Sequence, residues 1–172
     1  KCGFKSRRGM ENLVYMNGLK QLGELDRALL EVFARNISIA FENTELHQDV
    51  EETQQEIVYM LGDAVETRSK ETGNHVKRVA EISKLLALHI GLDGTEAEII
   101  KNAAPMHDIG KIGIPDAILN KPGKHTPEEF EIMKAHSLLG FDMLKSSQRD
   151  ILSAGAVIAR DHHEKWSGEG YP

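Results

Sequence analysis

Residues 76–111 read VKRVAEISKLLALHIGLDGTEAEIIKNAAPMHDIGK, and they set what kind of chain this is. Val79, Ile82, Leu85, Leu86 and Ile90 recur at the three- and four-residue steps of one helix face, and Gly91 ends the run. A second helical run from Thr95 to about Asp108 is broken by Gly110 and Gly113. Downstream, Thr126-Pro127-Glu128-Glu129 is a strong helix start. Thr126 caps, Pro127 takes the first helical position and Glu129 closes a capping box. That helix carries Phe130, Met133, His136 and Leu139 toward about Lys145. A last helix, about Asp150 to Glu164, is expected to bury Ile151, Leu152, Val157 and Ile158. The expectation is an all-α bundle.

Upstream, a stretch from about Leu25 to Arg68 contains no proline and only one glycine, Gly62. Leu25, Leu29, Phe33, Ile37 and Ala40 step as one helix face does. The pattern thins between Thr44 and Gln55 and returns with Ile57, Leu61 and Val65. Residues 25–68 therefore read as a long helix that connects two domains, of the kind that pairs in a dimer. Two core helices joined by a turn near Asn43 are the alternative. The first twenty residues differ: Lys1, Lys5, Arg7, Arg8 and Lys20 make them basic, and Asn12 to Met16 reads as a strand. Residues 1–24 are expected to be the tail of an upstream domain, a minor β element before the helical part at 69–172.

Composition narrows the function. Lys and Arg total 21 against 27 Asp and Glu, a net charge of −6, which argues against general nucleic-acid binding while allowing a local basic pocket for a phosphorylated ligand. Cys2 is the only cysteine, so an internal disulfide and a cysteine-built zinc site are both excluded. No apolar run approaches the roughly 18 residues of a membrane span, and no secretory leader is visible. The expectation is a cytoplasmic protein, and a start at Lys1 with a stop at Tyr171-Pro172 reads as a piece of a longer one.

Histidine carries the chemistry. His47, His89 and His125 sit where solvated or helix-terminal histidines commonly do. The others fall differently: His107-Asp108 closes an apolar helix, His162-His163 closes the last one, and His75 and His136 come from two more. Imidazoles and a carboxylate contributed by separate helices are what a metal site in a bundle core requires. Without cations, so many buried imidazoles would need other polar partners.

His107-Asp108-Ile109-Gly110-Lys111, followed by His162-His163-Glu164, Trp166 and Gly170-Tyr171-Pro172, resembles the HD-GYP family, a branch of the HD-domain metal-dependent phosphohydrolases. Glu71-Thr72-Gly73-Asn74-His75-Val76-Lys77-Arg78-Val79 and Met133-Lys134-Ala135-His136 match in the same order. The likeness covers about Val58 to Pro172. Residues Gly18 to Glu45 are similar to the closing helix of a GAF-like sensor domain, as in bacterial response regulators. The resemblance implies a helical bundle that hydrolyses cyclic di-GMP with two or three divalent metal ions, iron or manganese foremost. It implies His75, His107 and Asp108 as ligands of a first ion, with Asp108 bridging to a second held by His136, His162 and His163. Glu71 corresponds to the extra ligand of three-metal members.

The resemblance also assigns roles around the ligands. Lys111 is to meet the scissile phosphate, with Asp108 as its catalytic neighbour; apart from the resemblance, Lys121 and Lys124, flanking Pro122-Gly123, are candidate phosphate contacts. Gly170, Tyr171 and Pro172 match the loop that shapes the site and meets signalling partners. Two departures stand out: Ser167 replaces the family's aspartate between Trp166 and Gly168, and the family's last metal-binding aspartate lies beyond Pro172. They set the alternative expectation of a catalytically degenerate regulatory module that binds a ligand or partner without turnover. A homodimer is expected through the long helix.

Overall fold

The computed structural model describes residues 2–5, 11–14, 23–69 and 74–172. The chain divides into two compact units, Lys1–Gln54 and Gln55–Pro172. In the first, β1 (Cys2–Lys5) and β2 (Glu11–Val14) form an antiparallel pair, with Cys2 opposite Val14 and Lys5 opposite Glu11. The minor β element is therefore present. Helix α1 (Glu24–Arg68) is continuous through Asn43, so the turn considered there does not form. Glu24 and Asp26 in its first turn and Arg68 in its last match the helix dipole.

The second unit is helical. It holds the last part of α1, then α2 (Asn74–His89), α3 (Gly94–Ala103), 3-10 turns at Ala104–Met106 and Ile109–Gly113, α4 (Asp116–Leu119), α5 (Pro127–Leu144) and α6 (Asp150–Asp161). Helix α2 packs on α3, α3 on α6, α6 on α5, and α5 on the second 3-10 turn. The capping box at Thr126 and Glu129 forms as the sequence predicts. Another, at Asp93 and Glu96, starts α3 just before Thr95.

Two expectations are corrected. Helix α3 stops at Ala103 rather than near Asp108, because Pro105 has no N–H to give and its ring crowds the preceding turn. The chain continues as tighter 3-10 turns, and these carry His107 and Asp108 round toward α5 and α6. Likewise α6 ends at Asp161, which leaves His162 and His163 in the turn that follows.

The buried faces also differ from the expected ones. Helix α6 buries Gly155, Ala156 and Ala159; Ile151, Leu152 and Ile158 are half-buried and Val157 is exposed. In α2 the buried residues are Val76, Ala80 and Ala87, while Ile82, Leu85, Leu86 and Ile90 face out. In α5 they are His136, Ser137 and Gly140, with Phe130 and Leu139 exposed. These helices meet through small side chains, so their backbones come close where the histidines lie. A Cβ at Gly140 would stand 3.0 Å from Ala159 Cβ, and one at Gly155 would press on Met106 Cε at 2.5 Å.

Candidate metal centre

Four backbone segments deliver the histidines. His107 follows the first 3-10 turn, His136 sits mid-α5, His162 and His163 follow α6, and His75 lies in the first turn of α2. Gly110 makes the approach possible: any Cβ there would overlap the His136 carbonyl oxygen and Gly140 N. The second 3-10 turn therefore lies directly against α5.

Each ring is then fixed by its own backbone. His107 Nδ1 donates to the Ala104 carbonyl at 3.0 Å, His136 Nδ1 to Met133 at 2.7 Å and His162 Nδ1 to Ala159 at 2.9 Å. A carbonyl only accepts, so Nδ1 carries a proton in each ring, and any ring without a second proton presents its Nε2 lone pair to the site. His136 Nε2 and His162 Nε2 lie 3.2 Å apart. Both also face the buried Asp108 Oδ1, at 3.3 and 3.5 Å, and that oxygen has no hydrogen bond. Two lone pairs and an unsatisfied carboxylate oxygen turned on one point repel one another unless a cation sits between them. The donor set therefore fits a divalent metal.

The ligand-type atoms form two groups, each within 4.8 Å: Asp108 with His136, His162 and His163, and Glu66 with His75 and His107. Asp108 faces both. Its Oδ1 looks at the first group, and its Oδ2 meets His107 Nε2 at 3.1 Å and Lys111 Nζ at 2.8 Å. In the second group His75 Nε2 stands 3.8 Å from Glu66 Oε1, and the His75 and His107 rings are 6.0 Å apart.

Electrostatics favours ligation. Burial raises the Asp108 carboxyl, but the hydrogen bond of His107, the nearby His162 ring and the charge of Lys111 hold it far below the ordinary carboxylate range. Burial lowers His136, and burial with neighbouring imidazoles lowers His163 to about 4, so both are neutral near pH 7. Burial works to lower His107 as well, yet its hydrogen bond to Asp108 and that carboxylate's charge raise it on balance.

The Gly170-Tyr171-Pro172 loop folds back on the cluster. Tyr171 stacks on His163 with ring centroids 4.5 Å apart and meets His136 edge-on at 6.3 Å. Burial raises its hydroxyl pKa, and the Asp108 charge adds to the rise. A Cβ at Gly170 would run into Glu164 Cα and Lys165 N, both at 2.5 Å. Pro172 is exposed. Lys121 is engaged by Glu129 and Lys124 is exposed; no hydrogen bond or ion pair links either to the histidines. Glu71 lies outside the described residues. Ser167, in an exposed turn, accepts a hydrogen bond from Glu169 N at 3.4 Å.

Sequence reasoning missed two residues. Glu66 is 2% exposed, a carboxylate placed on the buried face of α1 beside Gly62 and Val65. Its helical neighbours Gly62, Asp63 and Ser69 give no apolar stripe, so the sequence carried no signal for its burial. Arg68 was read only as the end of a helix, yet its guanidinium donates to the carbonyls of Lys111 (2.8 Å), Ile112 (2.9 Å) and Ile114 (2.7 Å) and pairs with Asp116.

Comparison with known proteins agrees with this geometry. A family model described as "HD domain" matches residues 72–171. Over residues 2–50, where a GAF-like tail is expected, the matching model is "Domain of unknown function (DUF3369)", so that expectation gains no support. The chain is 48% identical over 168 residues to "3'3'-cGAMP-specific phosphodiesterase 2" of Vibrio cholerae, covering 98% of this chain and 32% of that protein. It is 50% identical over 117 residues to a "Cyclic di-GMP phosphodiesterase" of Thermotoga maritima, covering 68% and 32%. It is 43% identical over 124 residues to "Cyclic di-GMP phosphodiesterase response regulator RpfG" of Xanthomonas campestris, covering 72% and 33%. The chain thus spans about a third of the length of these curated relatives.

Proposed function

Because the chain belongs to the HD domain family, we propose that it supplies the metal centre of an HD-GYP-type phosphodiesterase that hydrolyses a cyclic dinucleotide, cyclic di-GMP in the first place. The observation that carries this reading is Asp108, a buried carboxylate whose two oxygens face two groups of imidazoles. His75, His107, His136, His162, His163, Asp108 and Glu66 would hold two or three ions, iron or manganese foremost, with Glu71 as a further donor. Such ions polarise phosphate oxygens and bring the pKa of a bound water toward about 7.

The protein's own groups do the rest. Asp108 stays ionised throughout the physiological range, and His136 and His163 stay neutral, so these three need no proton removed before they bind, whereas His107 would give up the Nε2 proton it holds against Asp108. The Lys111 ammonium, 2.8 Å from Asp108 Oδ2, would meet negative charge gathering on a phosphate and donate a proton to the leaving oxygen. Tyr171 covers His163 and, with Gly170 and Pro172, would border the ligand. Lys121 and Lys124 would meet its phosphates from the loop before α5. The protein is proposed to act in the cytoplasm as a homodimer joined through α1, as the output of a response regulator, with signalling partners reaching the Gly170–Pro172 loop. Among the described residues no helix is long and apolar enough to cross a membrane.

A second reading exchanges cyclic di-GMP for 3′3′-cGAMP, because the relative matched over 98% of this chain carries that specificity in its name. The test is the full-length protein, loaded with iron(II) or manganese(II), given each nucleotide separately, with products separated by chromatography. Faster loss of cyclic di-GMP, abolished in Asp108→Ala and His136→Ala, supports the first reading. Faster loss of 3′3′-cGAMP supports the second. Binding of both without turnover would overturn the enzyme and leave a regulatory module.

A further inference from the structure

Helix α1 carries a seven-residue repeat along its whole length. With Leu29 as position a, the a residues are Leu29, Asn36, Asn43, Val50, Ile57 and Ala64, and the d residues are Leu25, Val32, Ile39, Leu46, Thr53 and Met60. Every one of them is exposed, Leu25 at 74% and Met60 at 63%. In the second unit the same helix buries Gly62, Val65 and Glu66, which lie at f, b and c. The face that packs on the helical unit is therefore not the a/d face. A stripe of aliphatic residues repeating every 3.5 positions, left open on a 45-residue helix, matches the seam of a coiled coil.

From this we infer that α1 pairs with α1 of a second copy as a parallel, in-register, two-stranded coiled coil over Leu25–Ala64; the inference rests on the homodimer reading above and gives that dimer its orientation and register. Two observations select this arrangement. First, Asn36 and Asn43 both occupy a. In a parallel, aligned pair each asparagine meets its own counterpart, and the two amides hydrogen-bond across the seam. An antiparallel pair matched over the same span would set Asn43 against Leu46 and Glu42 against Asp49. Its one charge gain, Arg35 with Glu56, is a surface pair of little weight.

Second, an apolar groove on this helix is lined by Leu46, Asp49, Val50, Thr53 and Gln54. The first four are the d, g, a and d positions that surround a knob arriving from position a of a parallel partner. The knob this register delivers there is Val50 of the second copy. Val50 and Ile57 at a with Leu46 at d favour two strands, whereas Leu29 at a with Val32 and Ile39 at d does not, so the strand number rests on Asn36 and Asn43.

The test is disulfide capture in the full-length protein with Cys2 and any other cysteine replaced by serine as background. Leu29→Cys and Ile57→Cys, made singly, are each expected to cross-link with themselves under mild oxidation. The yield should exceed by roughly tenfold that of Thr44→Cys, which lies at b on the outer face. Sedimentation of the unmodified protein distinguishes the layers of the argument. A monomer at tens of micromolar overturns both the dimer and this inference. A dimer in which neither single variant cross-links, or in which Leu29→Cys links only to Met60→Cys, overturns the parallel register and leaves the dimer standing. Asn43→Leu is a second probe: it should keep association but admit species larger than a dimer, and a strictly dimeric Asn43→Leu would overturn the role given to the asparagines.

Discussion

Replacing Arg68 by alanine should loosen the segment that carries Lys111. The guanidinium closes α1 and donates to three carbonyls of residues 111–114, two of these bonds being partly buried. A hydrogen bond from a charged donor is worth about 1.5–3 kcal/mol. The bond to Ile112 and the pair with Asp116, itself 73% exposed, add little. Lys111 O keeps a second donor, Ile114 N at 3.1 Å, which softens its loss. With Arg68 one-third exposed, the net cost comes to about 2–3 kcal/mol. For a chain of this size that lowers the thermal midpoint by roughly 5–10 °C.

The same clamp sets where Lys111 Nζ stands against Asp108 Oδ2, and a slack of about 1 Å in such a group costs on the order of a hundredfold in rate. Arg68→Ala should therefore lower kcat for the cyclic dinucleotide far more than it changes KM. Arg68→Lys should recover little, since an ammonium cannot fork across three carbonyls. Calorimetry and steady-state kinetics of the full-length protein supply both readouts. A midpoint within about 1 °C of the parent refutes the stability argument. A lowered midpoint with an unchanged kcat refutes the positioning argument.

Other outcomes follow from the same geometry. Gly110→Ala drives a Cβ into the His136 carbonyl oxygen and should cost upward of about 1–3 kcal/mol, together with metal affinity, read by calorimetry and metal titration. Manganese(II) or iron(II) at 100 times its dissociation constant should stabilise the metal-free protein by about 2.7 kcal/mol, a gain absent from Asp108→Ala in the same thermal scan. Thr126→Ala removes the acceptor that caps α5 and should cost about 1 kcal/mol in denaturant unfolding. Glu129 is held below its ordinary range first by Lys121 and then by the Thr126 N–H. A carboxyl lowered on folding adds stability that is present above its unfolded value and lost as pH falls through the folded one. The unfolding midpoint should accordingly drop below about pH 4.3, and less steeply in Glu129→Gln.

The helices were legible because their ends are written locally. Thr126-Pro127-Glu128-Glu129 needs nothing distant to start α5, and Gly91 needs nothing distant to end the run of α2. What local pattern could not supply is which helical face turns inward. Leu85, Leu86 and Ile90 read as core by hydropathy, yet α2 buries Val76, Ala80 and Ala87, because close helix approach selects small side chains over large ones. The histidines could be grouped from residue type and chain order. The division of the site could not, since it turns on where Pro105 ends α3 and on which way each Asp108 oxygen then points.

Glu66 and Arg68 stayed hidden for a related reason. Both sit in an ordinary helical run, and their partners lie 9 to 48 residues onward in the sequence. Their positions nevertheless tie α1 to the chemistry. Glu66 faces His75 and Arg68 holds the carbonyls around Lys111, so the last turn of α1 meets both the second ligand group and the backbone that carries Lys111. A rotation of the last turns of α1 about their axis would move both contacts together, because Glu66 and Arg68 lie two residues apart on that helix. If the seam at Leu25–Ala64 fixes that rotation, Asn36→Leu and Asn43→Leu, which touch no site residue, should change the kcat of the full-length dimer while leaving its metal content unchanged. Unchanged kinetics in a re-registered dimer would show that α1 holds the site without tuning it.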